Sequence, residues 1–172
     1  MSMRPMSGPT RRGDASTNMR IDLNLQIACA LPGLPTRAKF RRWVAEACAG
    51  RRERVEVTIR VVDSREAQAL NRDYRGRDYP TNVLSFPAEG VADFAPALLG
   101  DLVICAPVLA IEAEERGRAL EFHWAHLVVH GCLHLLGFTH DLEVEAAVME
   151  NLERDLLHRL GYPDPYAEEA KA

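Results

Sequence analysis

The sequence predicts an α+β fold, a small mixed β-sheet packed against helices with one long central helix. Three features point there. Apolar and polar residues alternate over 21–28 and 55–62, the period of half-buried strands. Apolar residues recur at helical spacing over 37–49, 119–136 and 142–160. The two patterns follow one another irregularly, without the strict strand–helix alternation of a doubly wound parallel sheet.

Taken in order, Ile21, Leu23, Leu25 and Ile27 share one side of the first strand. Pro32, Gly33 and Pro35 punctuate the loop after it. Thr36 can cap a helix over 37–49, with Phe40, Val44, Ala45 and Cys48 on one stripe and Gly50 placed to end it. Val55, Val57, Ile59 and Val61 make the second strand. Asp63 can cap the next helix, over 64–74, and Glu66 stands where a capping box places its acid. A basic loop follows over 74–80, then a short strand over 81–86, then an exposed loop over 89–96. Residues 102–105 are a β-type apolar run, and 108–116 form a helix closed by Gly117. The long helix over 119–136 meets Gly137 at its end, and the final helix over 142–160 stops at Gly161 and Pro163.

With 172 residues, 47% apolar and 27% charged, the chain can close a core of its own. No apolar run reaches the roughly 18–20 residues that cross a bilayer. Residues 1–18 are rich in Ser, Gly, Pro, Thr and Arg and lack the apolar h-region of a secretory signal. They read as a disordered leader, with Met19 as an alternative start, ahead of a single domain over 19–172. The expected location is the cytoplasm. Cys29, Cys48, Cys105 and Cys132 have no CxxC spacing and are expected to be small buried hydrophobes. The net charge of −4 hides an asymmetry: residues 1–77 hold 16 Lys/Arg and 8 Asp/Glu, residues 78–172 hold 5 and 17. Either one basic surface sits on an acidic body, or Arg-rich helix faces are merely solvated.

The chemistry lies in the run His130-Gly131-Cys132-Leu133-His134-Leu135-Leu136-Gly137-Phe138-Thr139-His140. Residues four apart share a helix face, so His130 and His134 can point at one ion about 2.0–2.1 Å away. Gly137 lets the chain leave the helix in a left-handed turn that brings His140 back as a third ligand. Three imidazoles with one open position make the catalytic kind of zinc site. The same spacing occurs in metzincin peptidases, where a Glu after the first His is the general base. Here that slot holds Gly131, so a peptidase would need another carboxylate, Asp101 or Asp141. His123 and His126 lie on nearly the same face as the ligands and suit either ligand support or ordinary polar contacts. Asp141 can orient His140 or cap the last helix, and His158 suits a helix C-terminus at the surface.

Three blocks carry a resemblance. HGCLHLLGFTHD at 130–141 resembles the signature of the YbeY family of bacterial rRNA maturation factors. The run from Leu70 through Arg75, Asp78, Pro80, Thr81, Asn82 and Ser85 to Pro87 agrees with it, as does Leu99-Gly100-Asp101-Leu102-Val103-Ile104-Cys105. The likeness spans about 20–163. It implies a zincin-like fold and one Zn²⁺ held by His130, His134 and His140. It further implies a cytoplasmic, single-strand-specific endoribonuclease that matures the 3′ end of small-subunit rRNA and serves ribosome quality control. RNA is then the substrate, with a small-subunit ribosomal protein and an assembly GTPase as partners. The family's functional arginine maps onto Arg75, which together with His134 is the expected catalytic pair. Arg75 can clamp a phosphate; Asn82 and Ser85 either bind substrate or fix the turn after Pro80. Phe138 and Thr139 replace the family's commoner Tyr and Asp, and neither is needed as a ligand. Two other readings stay open at this point: a metal hydrolase of another substrate class, such as a peptidase, and a ribosome-assembly binding factor with a structural metal.

Overall fold

The computed structural model describes residues 19–167 apart from Ala92, so the predicted leader over 1–18 lies outside the described residues. Four strands form one sheet: β1 (Arg20–Ile27), β2 (Arg54–Val62), β3 (Val83–Pro87) and β4 (Leu98–Cys105). Their order is β1-β2-β4-β3, with β1, β2 and β4 parallel and β3 antiparallel to β4. The helices are α1 (Arg37–Cys48), α2 (Ser64–Arg75), α3 (Ala106–Glu115), α4 (Leu120–Leu135) and α5 (Glu143–Arg159). This is the mixed α+β architecture that the irregular order of periodicities predicts.

Side-chain alternation sorts the sheet into two faces. Leu23, Val57, Ile59, Leu102 and Ile104 point into the main core, where they meet α1 and α4. There Phe40 makes edge-to-face contacts with Trp43 and Trp124. The other face is only partly covered: α2 packs Ala67 on Val62, Leu84, Val103 and Cys105. Consecutive buried residues from Phe122 to Val129 show why α4 carries so little amphipathic pattern, since sheet and helices surround it.

Local chemistry sets the element ends. Thr36 caps α1, and Asp63 Oδ1 accepts from the Glu66 amide at 2.9 Å. The return half of that capping box is absent, because the Glu66 carboxylate pairs with Arg60 at 2.8 Å instead. β4 begins at Leu98, four residues before the apolar run; the register to β2 shifts by one residue at Leu99, after which Gly100 and Asp101 pair with Val57 and Thr58. Leu142 occupies the N-cap of α5 with no side-chain bond, so Asp141 does not cap that helix. Along edge strand β1, the guanidinium of Arg41 donates to the Ile21 carbonyl at 2.6 Å, and Arg37 donates to that of Leu23.

Gly131 packs α4 against the Leu102 side chain of β4. A Cβ there would lie 2.7 Å from Leu102 Cδ2 and 3.1 Å from Cδ1, and Leu102 is wholly buried. Gly131→Ala is therefore expected to lower stability by about 1–3 kcal/mol, read from the midpoint of urea unfolding. An unchanged midpoint would show that the interface yields freely.

Candidate metal centre

The last turn of α4 is closed by a Schellman motif. The Phe138 amide donates to the Leu133 carbonyl and the Gly137 amide to that of His134, both at 3.0 Å, while Gly137 takes φ +101°. The turn brings the Phe138 carbonyl 3.0 Å from His134 Nδ1. A carbonyl only accepts, so Nδ1 carries the proton and Nε2 presents a lone pair. On the neighbouring turn, His130 Nδ1 lies 2.5 Å from Glu153 Oε1. A carboxylate assigns it the same tautomer.

The two Nε2 atoms then face each other 3.1 Å apart. With the proton of each ring on its other nitrogen, a cation between them makes that approach favourable. Two ligands about 2.05 Å from a tetrahedral ion stand roughly 3.3 Å apart, so the spacing fits. His140 follows the turn, and ligand nitrogens of all three histidines lie within 4.8 Å of one another. Among the described residues these three form the group able to hold a metal ion. Burial foremost, with His130 and His140 nearby, pulls the His134 pKa down to about 4. Its imidazole is therefore neutral at pH 7 and available as a ligand.

Behind the ligands lies a buried polar layer. Glu153 is fully buried and accepts from His126 Nε2 at 3.0 Å with the oxygen that also takes the Tyr166 hydroxyl. Burial pushes its carboxyl up, but the bonds from His126 and His130 outweigh that and hold it at about 2. Glu112 accepts from His123 Nε2 at 2.9 Å and from Asn82 Nδ2 at 3.1 and 3.2 Å. His126 is thus one bond away from the carboxylate that holds His130, and His123 belongs to the Glu112 branch.

The other predicted residues are placed as follows. Asn82 Oδ1 accepts from the Val83 amide at 2.7 Å, and the residue helps line a cavity of about 180 Å³ shared with Glu112, Arg116, His126 and His130. Ser85 pairs in register with Leu102, on the α4 side of the sheet. Arg75 ends α2, exposed, on the opposite side of the sheet. Asp101 also faces that side and lines a separate groove with Arg60, Tyr74 and Phe86, away from the histidines. Cys132 is buried, its thiol pushed well up by burial, and belongs to the core. His158 is exposed in the last turn of α5. A cation beside the ligand loop also emerges: the Arg51 guanidinium lies 5.0 Å from the Phe138 ring centroid.

Glu153, Glu112, Arg118 and Tyr166 have no place in the sequence reading. One signal was visible for the first. Met149, Leu156 and Leu157 form the buried stripe of α5, continued by Leu160 just past its end, and Glu153 interrupts it at helical spacing. A lone acid on an apolar stripe requires a buried partner.

No described helix is long and apolar enough to cross a membrane. The model of the family described as "Endoribonuclease YbeY" matches residues 33–161. Proteins named "Endoribonuclease YbeY" from two strains of Stenotrophomonas maltophilia are 56% and 54% identical over 156 residues, covering 88% of this chain and 96% of theirs. The solution structure of TM1509 from Thermotoga maritima shares the fold, with a TM-score of 0.54 at 21% identity, over 84% of this chain and 95% of that one. The three-histidine turn stands inside the matched segment, and the chain belongs to the YbeY family.

Proposed function

We propose that this chain is a zinc-dependent, single-strand-specific endoribonuclease that processes rRNA, maturing the 3′ end of the small-subunit RNA in the cytoplasm. The observation that carries the reading is the pair of Nε2 atoms held 3.1 Å apart, with His140 beside them, in a chain of this family. Residues 19–172 serve as one catalytic domain, and a small-subunit ribosomal protein and an assembly GTPase are its protein partners. Zinc is the metal that a neutral three-imidazole set favours. When bound, it supplies Lewis-acid polarisation of a phosphate oxygen and lowers the pKa of water.

The chain's own residues do the rest. His130 and His134 hold the ion through Nε2, and His140 completes the set. Arg75 binds a phosphate of the substrate through its planar fork of donors. Asn82 and Ser85 position the strand next to the ligands. Arg51, seated against Phe138, adds positive charge at the rim where a polyanion would approach. Peptide hydrolysis loses support, since the slot of a peptidase glutamate holds Gly131, which faces Leu102 in the core.

The decisive experiment is cleavage of a 3′-extended small-subunit rRNA precursor by purified protein. Wild type should cut single-stranded RNA and lose that activity on chelation. Arg75→Ala should slow cleavage about 10- to 100-fold, the worth of one or two charge-assisted hydrogen bonds, with metal content unchanged. Equal cleavage by wild type, chelated protein and Arg75→Ala would mark a contaminating nuclease and end the proposal.

A further inference from the structure

Arg118 is 93% buried and is held from several directions. Its ring-facing side lies 4.6 Å from the Phe122 centroid, and Nη2 donates to the Pro165 carbonyl at 2.7 Å. Nη1 lies 3.2 Å from His123 Nδ1 and 3.0 Å from His126 Nδ1. A guanidinium has donors and no acceptor. Both Nδ1 atoms must therefore carry lone pairs, and both rings hold their single proton on Nε2. Those protons point at Glu112 and Glu153, whose oxygens lie 2.9 and 3.0 Å away.

The consequence runs inward. Glu153 Oε2 takes the His126 proton and the Tyr166 hydroxyl, which leaves Oε1 for His130 Nδ1. His130 then has one tautomer and one ring orientation, and its Nε2 is aimed at Nε2 of His134. Tyr166 belongs to the segment after α5, beyond the matched 33–161, and is seated by Arg154 at 5.1 Å and by the His126 ring at 5.6 Å. No buried side-chain polar atom among the described residues lacks a partner, so no member can turn without orphaning another.

We propose that Glu153 is the positioning residue of the metal centre, with Arg118 and Tyr166 fixing it from outside. The chain Arg118–His126–Glu153–His130 sets which nitrogen of His130 meets the ion. This rests on the metal centre of the preceding reading and is independent of which bond the enzyme cuts.

Zinc affinity of the full-length protein, measured by competition with a chromophoric chelator, tests it. Glu153→Gln keeps the shape but offers one acceptor oxygen where three donors meet two carboxylate oxygens, and should weaken zinc binding about 10- to 100-fold. Tyr166→Phe should weaken it by at least about threefold. Asp155→Asn removes an exposed carboxylate from the same helix and should leave affinity unchanged. In the metal-free wild type, imidazole ¹⁵N NMR should show Nε2–H for His126 and Nδ1–H for His130. Opposite tautomers overturn the proposal, as does an affinity within about twofold of wild type in both Glu153→Gln and Tyr166→Phe. If Glu153→Gln does not fold, Tyr166→Phe and the tautomers decide. A wild type that takes up no zinc overturns the metal centre and this inference together. Weakened variants in a protein that cuts no RNA overturn only the nuclease.

Discussion

His134→Ala should abolish RNA cleavage, a loss of about a thousandfold or more, and should release the metal. His134 sits at the centre of the ligand set: its Nε2 is 3.1 Å from that of His130, and its ring centroid is 4.8 Å from that of His140. Metal polarisation of a phosphoryl oxygen stabilises the transition state by several kcal/mol, and each 1.4 kcal/mol is about tenfold in rate. The ring is half-buried in a pre-formed turn, so the variant should keep its fold while losing its ion. Single-turnover cleavage of the labelled precursor together with elemental analysis checks both halves. Retained cleavage with metal lost would show that the activity does not pass through this ion.

The largest effect on stability is expected at Gly100. It pairs with Pro87 where β3 and β4 join, and takes φ +137°, which side-chain-bearing residues rarely adopt. A Cβ would stand 2.3 Å from the Phe86 carbonyl oxygen and 3.0 Å from Pro87 Cα, and backbone atoms cannot rotate aside. Strain of about 1–3 kcal/mol adds to a comparable overpacking cost, so Gly100→Ala should lose roughly 3 kcal/mol or more. The urea midpoint should fall with the slope unchanged. A midpoint within error of wild type would mean that β3 can shift away from β4. The clash also involves Leu135 Cδ2 at 3.0 Å, so the damage would reach the end of α4 where the ligands stand.

What could be read in the sequence was whatever local chemistry settles. β1 and β2 alternate because each has one face on the core, and the caps at Thr36, Asp63 and Gly137 act over three or four residues. The histidine turn was legible for the same reason: helix spacing and one glycine suffice to bring its side chains together. Contacts between distant segments were not. His130 meets Glu153 across 23 residues and Arg118 reaches Pro165 across 47, and no local pattern announces either. The basic first half was ambiguous for a related reason. Arg37 and Arg41 look like free surface charge but donate to carbonyls of edge strand β1, and Arg60 is bound to Glu66. Strand ends were misplaced where polar residues lie within a ladder, as at Gly100 and Asp101 in β4.

The turn that ends α4 ties two equilibria into one. The backbone segment that satisfies the helix's last carbonyls also supplies the acceptor that fixes His134, through the Phe138 carbonyl. Fraying of that helix end would therefore also loosen the site that could hold an ion. By mass action, ion at about a hundred times its dissociation constant stabilises the folded form by about 2.7 kcal/mol. In this molecule that energy would be delivered to the final turn of α4, where the ligand group stands. Metal supply would then act on how long the chain survives as well as on how fast it works.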